Sequence, residues 1–139
     1  MPSAGSTPDA GSQERVLVCD DDERIRQSIS EALALESFDV ETAERAVDAI
    51  QKIMRTSYRA LVLDLKLPGL GGLDAISIIK RLNERLPIIV MTGHASYETE
   101  QAVRAAGVFY YLVKPFSLKE LTEAVKAAAR FQEGGKARG

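Results

Sequence analysis

A run of four apolar residues, Ala60 to Leu63, ends abruptly on a carboxylate, Asp64, and is followed by Lys66, Pro68, Gly69, Gly71 and Gly72. An uninterrupted apolar run of this length reads as a strand buried on both faces, and such strands belong to parallel sheets covered by helices. The proline and glycines behind it are loop chemistry. Asp64 is therefore expected at the carboxyl end of a central strand, on the rim where open α/β sheets bind ligands. Three more short apolar runs end on chemistry in the same way. Val16–Cys19 precedes Asp20, Asp21, Asp22 and Glu23; Ile88–Met91 precedes Thr92; Val108–Val113 precedes Lys114-Pro115. Phe38 to Thr42 alternates apolar and polar residues, as an edge strand does.

Between these runs, apolar residues recur at helical spacing. The predicted stripes are Ile25, Ile29, Ala32 and Leu33, then Val47, Ile50 and Met54, then Leu73, Ile76, Ile79 and Leu82. A fourth helix, from about Tyr97 to Ala106, has only Ala102, Val103 and Ala106 to bury and is expected to be the least firmly packed. Leu118, Leu121, Val125 and Ala128 line the last helix, and Ser117 with Glu120 makes a capping box at its start. Five strands alternating with five helices imply right-handed crossovers between parallel neighbours. The predicted fold is a doubly wound α/β sandwich, (βα)5 and flavodoxin-like, with a five-stranded parallel sheet in the order 2-1-3-4-5. A (β/α)8 barrel is excluded, since it needs about 250 residues and the chain has 139. Residues 14–132 are expected to form the domain. Residues 1–13, rich in proline, glycine and serine, read as a disordered arm, and 133–139, opening near Gly134-Gly135, as a flexible tail.

Eighteen basic residues against twenty acidic ones leave a net charge of −2. No overall positive field gathers phosphate backbones or anionic lipid, so direct nucleic-acid contact is not expected. The single cysteine, Cys19, cannot make an internal disulfide and reads as a small buried hydrophobe. No apolar run of membrane length or signal peptide appears, so the expected setting is reduced and cytoplasmic, without a membrane.

In the order 2-1-3-4-5 every strand-to-helix loop opens on one rim, which brings Asp20, Asp21, Asp64, Thr92 and Lys114 together. Gathered carboxylates repel one another and raise each other's pKa unless a cation sits among them. Oxygen-only donors, with no His or Cys pair at metal spacing, suit Mg²⁺. Lys114 supplies a positive point charge and Thr92 a hydroxyl, and both match a phosphoryl group in transfer. Asp64 is the candidate nucleophile, since a carboxylate can itself take up phosphate. Asp22 reads as the N-cap of the first helix. Gly69, Gly71 and Gly72 lack the Lys-Ser/Thr that ends a P-loop and read as a turn. His94, the only histidine, reads as an exposed loop imidazole.

Four motifs, VLVCDDDE at 16–23, VLDLKLPGLGG at 62–72, MTGHAS at 91–96 and YLVKPF at 111–116, resemble the receiver domain of bacterial two-component response regulators. MTGH and YLVKPF lean towards receivers of the nitrogen-regulation and nitrogen-fixation type. The resemblance implies that Asp64 accepts a phosphoryl group from the phosphohistidine of a sensor histidine kinase, while Asp20, Asp21, Asp64 and the Lys66 backbone carbonyl hold Mg²⁺. It also implies that Thr92 and Lys114 bind phosphoryl oxygens, that Thr92 and Tyr111 move together as the switch, and that Lys114–Pro115 is cis. The implied partners are the kinase and an output domain or downstream protein, with phosphorylation-dependent homodimerisation through the face of the fourth helix, fifth strand and fifth helix. Such a domain operates on itself and converts no free metabolite. The side chains of Lys66 and His94, at the mouth of the site, are predicted to set the lifetime of the phosphorylated state. A nucleotide or flavin carrier needs a phosphate-accepting loop after the first strand, where this chain has three Asp. A pseudo-receiver, acting as an interaction module without phosphorylation, usually lacks one site residue, and here all five are present.

Overall fold

The computed structural model describes residues 14–66, 69–94 and 96–138, so the expected arm of 1–13 lies outside the described residues. In chain order the elements are β1 (Arg15–Cys19), α1 (Glu23–Leu35), β2 (Asp39–Ala43), α2 (Ala46–Arg55), β3 (Ala60–Asp64), α3 (Gly72–Leu82), β4 (Ile88–Thr92), α4 (Tyr97–Ala105), β5 (Tyr110–Val113) and α5 (Leu118–Arg138). The strands form one parallel sheet in the order β2-β1-β3-β4-β5, as predicted. β3 and β4 are buried along their whole length, which is why their sequences carry no polar residue until the rim.

Strand side chains alternate between two faces, and each face has its own core. Leu17, Leu61, Leu63, Ile88 and Val90 pack under α2, α3 and α4 with Ala49, Ile76, Ile79 and Val103. Val16, Val18, Val62, Ile89 and Met91 pack under α1 and α5 with Ile29, Leu33, Leu121 and Val125. Burying one such Leu or Ile side chain contributes about 1.5–3 kcal/mol, so the two cores fix which ends of the strands share a rim. Register then sets the rim in detail, placing Asp64 beside Met91 and Thr92 beside Val113.

Several predicted helix stripes are corrected. α2 buries Ala46 and Ala49, with Ile50 and Ile53 partly covered, while Val47 and Met54 are exposed. The helix lies close against the sheet on its alanines, so the larger residues one position along are turned to solvent. α3 buries Gly72, Ala75, Ile76 and Ile79 and leaves Leu73 and Leu82 exposed, and α5 leaves Leu118 exposed. α4 buries only Val103. β5 begins at Tyr110, two residues later than the apolar run suggests. The helical backbone of α5 continues to Arg138, past Gly134 and Gly135, where the sequence predicts its end. Helix propensity is a weak prior, a glycine costing about 1 kcal/mol relative to alanine.

Candidate functional site

The acidic triplet after β1 divides into three environments. Asp20 is fully buried: its N–H donates to the Ala43 carbonyl at 3.2 Å, and its Oδ1 accepts the Asp22 N–H at 2.8 Å. Asp21 is exposed. Asp22 caps α1, its carboxylate accepting the Arg24 N–H at 2.9 Å, as expected. Arg26, which the sequence does not distinguish from its neighbour Arg24, donates from a guanidinium nitrogen to the Asp20 carbonyl at 2.8 Å and so holds the turn from α1. Only the fold reveals that role.

Asp64 closes β3 at 4 % exposure, its Oδ1 accepting the Lys66 N–H at 3.0 Å. The Leu65 N–H donates to the Met91 carbonyl at 2.8 Å, tying this loop to β4. The chain then turns through Gly69, at a φ of 86°, into α3, and a Cβ on Gly72 would collide with the Leu65 carbonyl oxygen. The glycines thus act as a turn and a close approach, and make no phosphate cradle.

Lys114 follows β5 by one residue; its N–H donates to the Thr92 carbonyl at 2.8 Å, and its peptide bond to Pro115 is cis. Its Nζ donates to Asp20 Oδ2 at 3.2 Å and to Asp64 Oδ2 at 3.3 Å, spanning the two buried acids. Asp20, Asp21 and Asp64 each offer one oxygen within 4.8 Å of the others. Burial raises the pKa of Asp20; the Asp22 N–H and Lys114 oppose the rise and the Asp64 charge adds to it. Burial would lower the pKa of Lys114, but the Asp64 and Asp20 charges outweigh it and the ammonium is held above its ordinary value. One ammonium cannot neutralise three carboxylates. This oxygen-only donor set fits a hard divalent cation such as Mg²⁺.

Thr92, buried at the end of β4, uses its hydroxyl locally: Oγ1 accepts the His94 N–H at 3.1 Å and donates to the His94 carbonyl at 3.3 Å. His94 and Lys66 are exposed. Adjacent tyrosines on β5 point to opposite faces. Tyr111 is 9 % exposed and lies in the core under α4, whereas Tyr110 is 37 % exposed and donates to Glu120 at 3.3 Å. That bond takes the Glu120 carboxylate, so the box at α5 is half of one: Ser117 Oγ accepts the Glu120 N–H at 3.0 Å. Burial raises the pKa of Tyr111, and its hydroxyl finds no hydrogen-bond partner among the described residues. Cys19 is buried beneath the site, and burial followed by the Asp20 charge pushes its thiol up to about 12.

A parallel sheet in this order, with acids, a hydroxyl and an ammonium converging on one rim, defines a protein of the CheY-like class. Within that class the chain belongs to the response regulator receiver domain family, whose pattern matches residues 16–126. It is 36% identical over 116 residues to the response regulator MprA of Mycobacterium leprae (strain TN), covering 84% of this chain and 51% of that protein. A CheY-like receiver domain protein from Methanospirillum hungatei JF-1 superposes with a TM-score of 0.84 at 30% identity, covering 88% of this chain and 98% of that one. The beryllofluoride-activated NtrC4 receiver domain dimer gives 0.81 at 34% identity, covering 86% and 98%. The chain spans about half the length of the curated relatives it matches. Among the described residues, no helix is long and apolar enough to cross a membrane.

Proposed function

We propose that this chain is a phosphorylation-operated switch in which Asp64 is the phosphoacceptor. The observation that carries the reading is the Lys114 ammonium spanning Asp20 and Asp64 at 3.2 and 3.3 Å, with Asp21 completing the acid group. An Asp64 carboxylate oxygen attacks the phosphorus of a kinase phosphohistidine; the P–N bond breaks and the imidazole leaves with the electron pair. Lys114 faces the charge that gathers on the phosphoryl oxygens, and Thr92 exchanges its bond to the His94 carbonyl for one to such an oxygen. Asp20, Asp21, Asp64 and the Lys66 backbone carbonyl would hold Mg²⁺. When bound, the ion supplies the neutralising charge that lets an anionic phosphoryl group approach three acids. Tyr111 is buried with Thr92 in the phosphorylated arrangement. The domain works as a signalling switch and turns over no free metabolite.

The partners of this reading are a sensor histidine kinase and an output domain or downstream protein, in the cytoplasm. Homodimerisation through α4, β5 and α5 accompanies phosphorylation. The domain spans 14–132, and the helical backbone of α5 runs on beyond it to Arg138. The nitrogen-regulation and nitrogen-fixation likeness rests on MTGH and YLVKPF alone, and the identity to MprA does not support it. A pseudo-receiver is disfavoured because all five site residues are present in the sequence and Asp20, Asp21, Asp64 and Lys114 lie together. Incubation with acetyl phosphate and Mg²⁺ tests the reading. The parent gains an acid-stable, base-labile phosphoryl mass and Asp64→Asn does not; a parent that gains none, or a variant that gains as much, ends it.

A further inference from the structure

The buried ring of Tyr111 has a lid that the switch reading does not use. The Arg104 guanidinium carbon lies over this ring, 5.7 Å from its centroid. Arg104 Nε in turn donates to Glu100 Oε2 at 2.8 Å, one helical turn back on α4. An acid preceding a base by four residues is the favourable order on a helix. As an ion pair it is exposed and adds little to stability. Its geometric effect is larger, because the pair fixes the guanidinium over the ring.

Tyr111 needs such a hold. Burying its hydroxyl without a partner is unfavourable, and a ring turned outward would recover hydrogen bonds to water. Opposing this, the ring fills core beside Val90 and Val103, and a cation over its face adds a cation–π attraction. The helix carrying the lid buries only Val103, so apolar packing alone holds α4 weakly. Both charges are close enough to Tyr111 to act on its hydroxyl, Glu100 adding to the rise caused by burial and Arg104 opposing it. The observed arrangement is mixed: Tyr111 is already buried while Thr92 is still engaged with His94.

We propose that Arg104, anchored by Glu100, is a positioning residue that clasps Tyr111 in its buried orientation and so favours phosphorylation before any phosphoryl group arrives. The second half rests on the phosphoacceptor reading; the first does not. The unphosphorylated protein, labelled with 3-fluorotyrosine, separates them. Tyr58, Tyr97, Tyr110 and Tyr111 are assigned by single Tyr→Phe variants, and fluorine solvent-isotope shifts report the exposure of each ring. Arg104→Met keeps an apolar stem over the ring and removes the cation; Glu100→Gln frees the guanidinium. Both are expected to shift Tyr111 towards solvent by about twofold to fivefold in its buried-to-exposed ratio, with Arg104→Met the larger and the buried Tyr58 unmoved. A Tyr111 signal unchanged in Arg104→Met overturns the clasp. In the acetyl phosphate assay Arg104→Met slows phosphorylation by a similar factor, and the slowing disappears in the Tyr111→Ala background. A faster or equal rate, or the same slowing without the Tyr111 ring, overturns the coupling. A parent that takes up no phosphate counts against the phosphoacceptor reading and leaves the fluorine result to decide the clasp.

Discussion

Burial makes the charged form of Asp20 costly at the candidate site. Its folded pKa is raised, chiefly by burial, so the folded chain holds its proton more tightly than the unfolded chain does. Between the ordinary value of 3.8 and that raised value, stability therefore falls as pH rises, and the loss is complete above the raised pKa. Asp20→Asn in EDTA is expected to raise stability near neutral pH by about 1 kcal/mol, the usual size of a single substitution, and to abolish that segment of the pH profile. Urea titrations of both proteins across this pH range check it; a variant less stable than the parent at neutral pH contradicts it. Lys66 and His94 are expected to act on a different step, the loss of the phosphoryl group. Their backbone N–H groups hold Asp64 and Thr92 at 3.0 and 3.1 Å, and their side chains are exposed. Lys66→Ala and His94→Ala should each change the dephosphorylation rate by about threefold to tenfold, equivalent to roughly 0.7–1.4 kcal/mol of barrier, and unchanged rates in both discard this role. The triplet at 20–22, Asp64 and Lys114 were legible because each follows directly on an apolar run. Arg26 and Arg104 were not: in sequence, an arginine on a helix looks the same whether it faces water, a carbonyl or a ring.

At the level of elements, the strands were easier to read than the helices. A strand buried on both faces is apolar throughout, so β3 and β4 announce themselves whichever face a residue takes. A helix stripe is a choice among rows, and size misleads: Val47, Met54, Leu73 and Leu82 are large, yet alanines and Gly72 set the contact. Gly72 shows how closely α3 must approach the loop behind Asp64, since a Cβ would meet backbone, which cannot step aside. Gly72→Ala is expected to cost about 1–3 kcal/mol, in the range of overpacking. Gly71→Ala, whose Cβ would meet only Asp74 Oδ2 at 3.8 Å, serves as the control and should fall well below that. Equal urea midpoints for the two variants would sink the close-approach argument. α4, expected from its weak apolar stripe to be the least firmly packed helix, buries only Val103 and is capped by Ser96, whose Oγ accepts the Thr99 N–H at 3.1 Å. Its amides should exchange with deuterium faster than those of α1, which is pinned by Ile29 and Leu33.

For the molecule as a whole, the two cores share one sheet, so the rim cannot deform without disturbing both faces. That topology was legible because alternation of strand and helix leaves few parallel arrangements, and one of them collects every chemical residue on the same edge. The folded chain alone presents Asp20, Asp21 and Asp64 together, since they are joined only through the pairing of β1 with β3. A divalent ion that needs all three binds the folded state in preference to the unfolded one and must stabilise the entire domain. Mg²⁺ at ten times its dissociation constant should add about 1.4 kcal/mol to unfolding, seen as a shifted urea midpoint with an unchanged slope. In Asp20→Asn and in Asp64→Asn the shift should shrink sharply. Lys114→Ala provides the opposite case: losing the ammonium leaves two buried carboxylates uncompensated, so its unfolding free energy in EDTA should fall by about 1 kcal/mol or more while its response to Mg²⁺ grows. If Mg²⁺ moved the parent and all three variants equally, the ion would be acting as ionic strength on the surface, and the rim would have to be reread as a static ion-pair network.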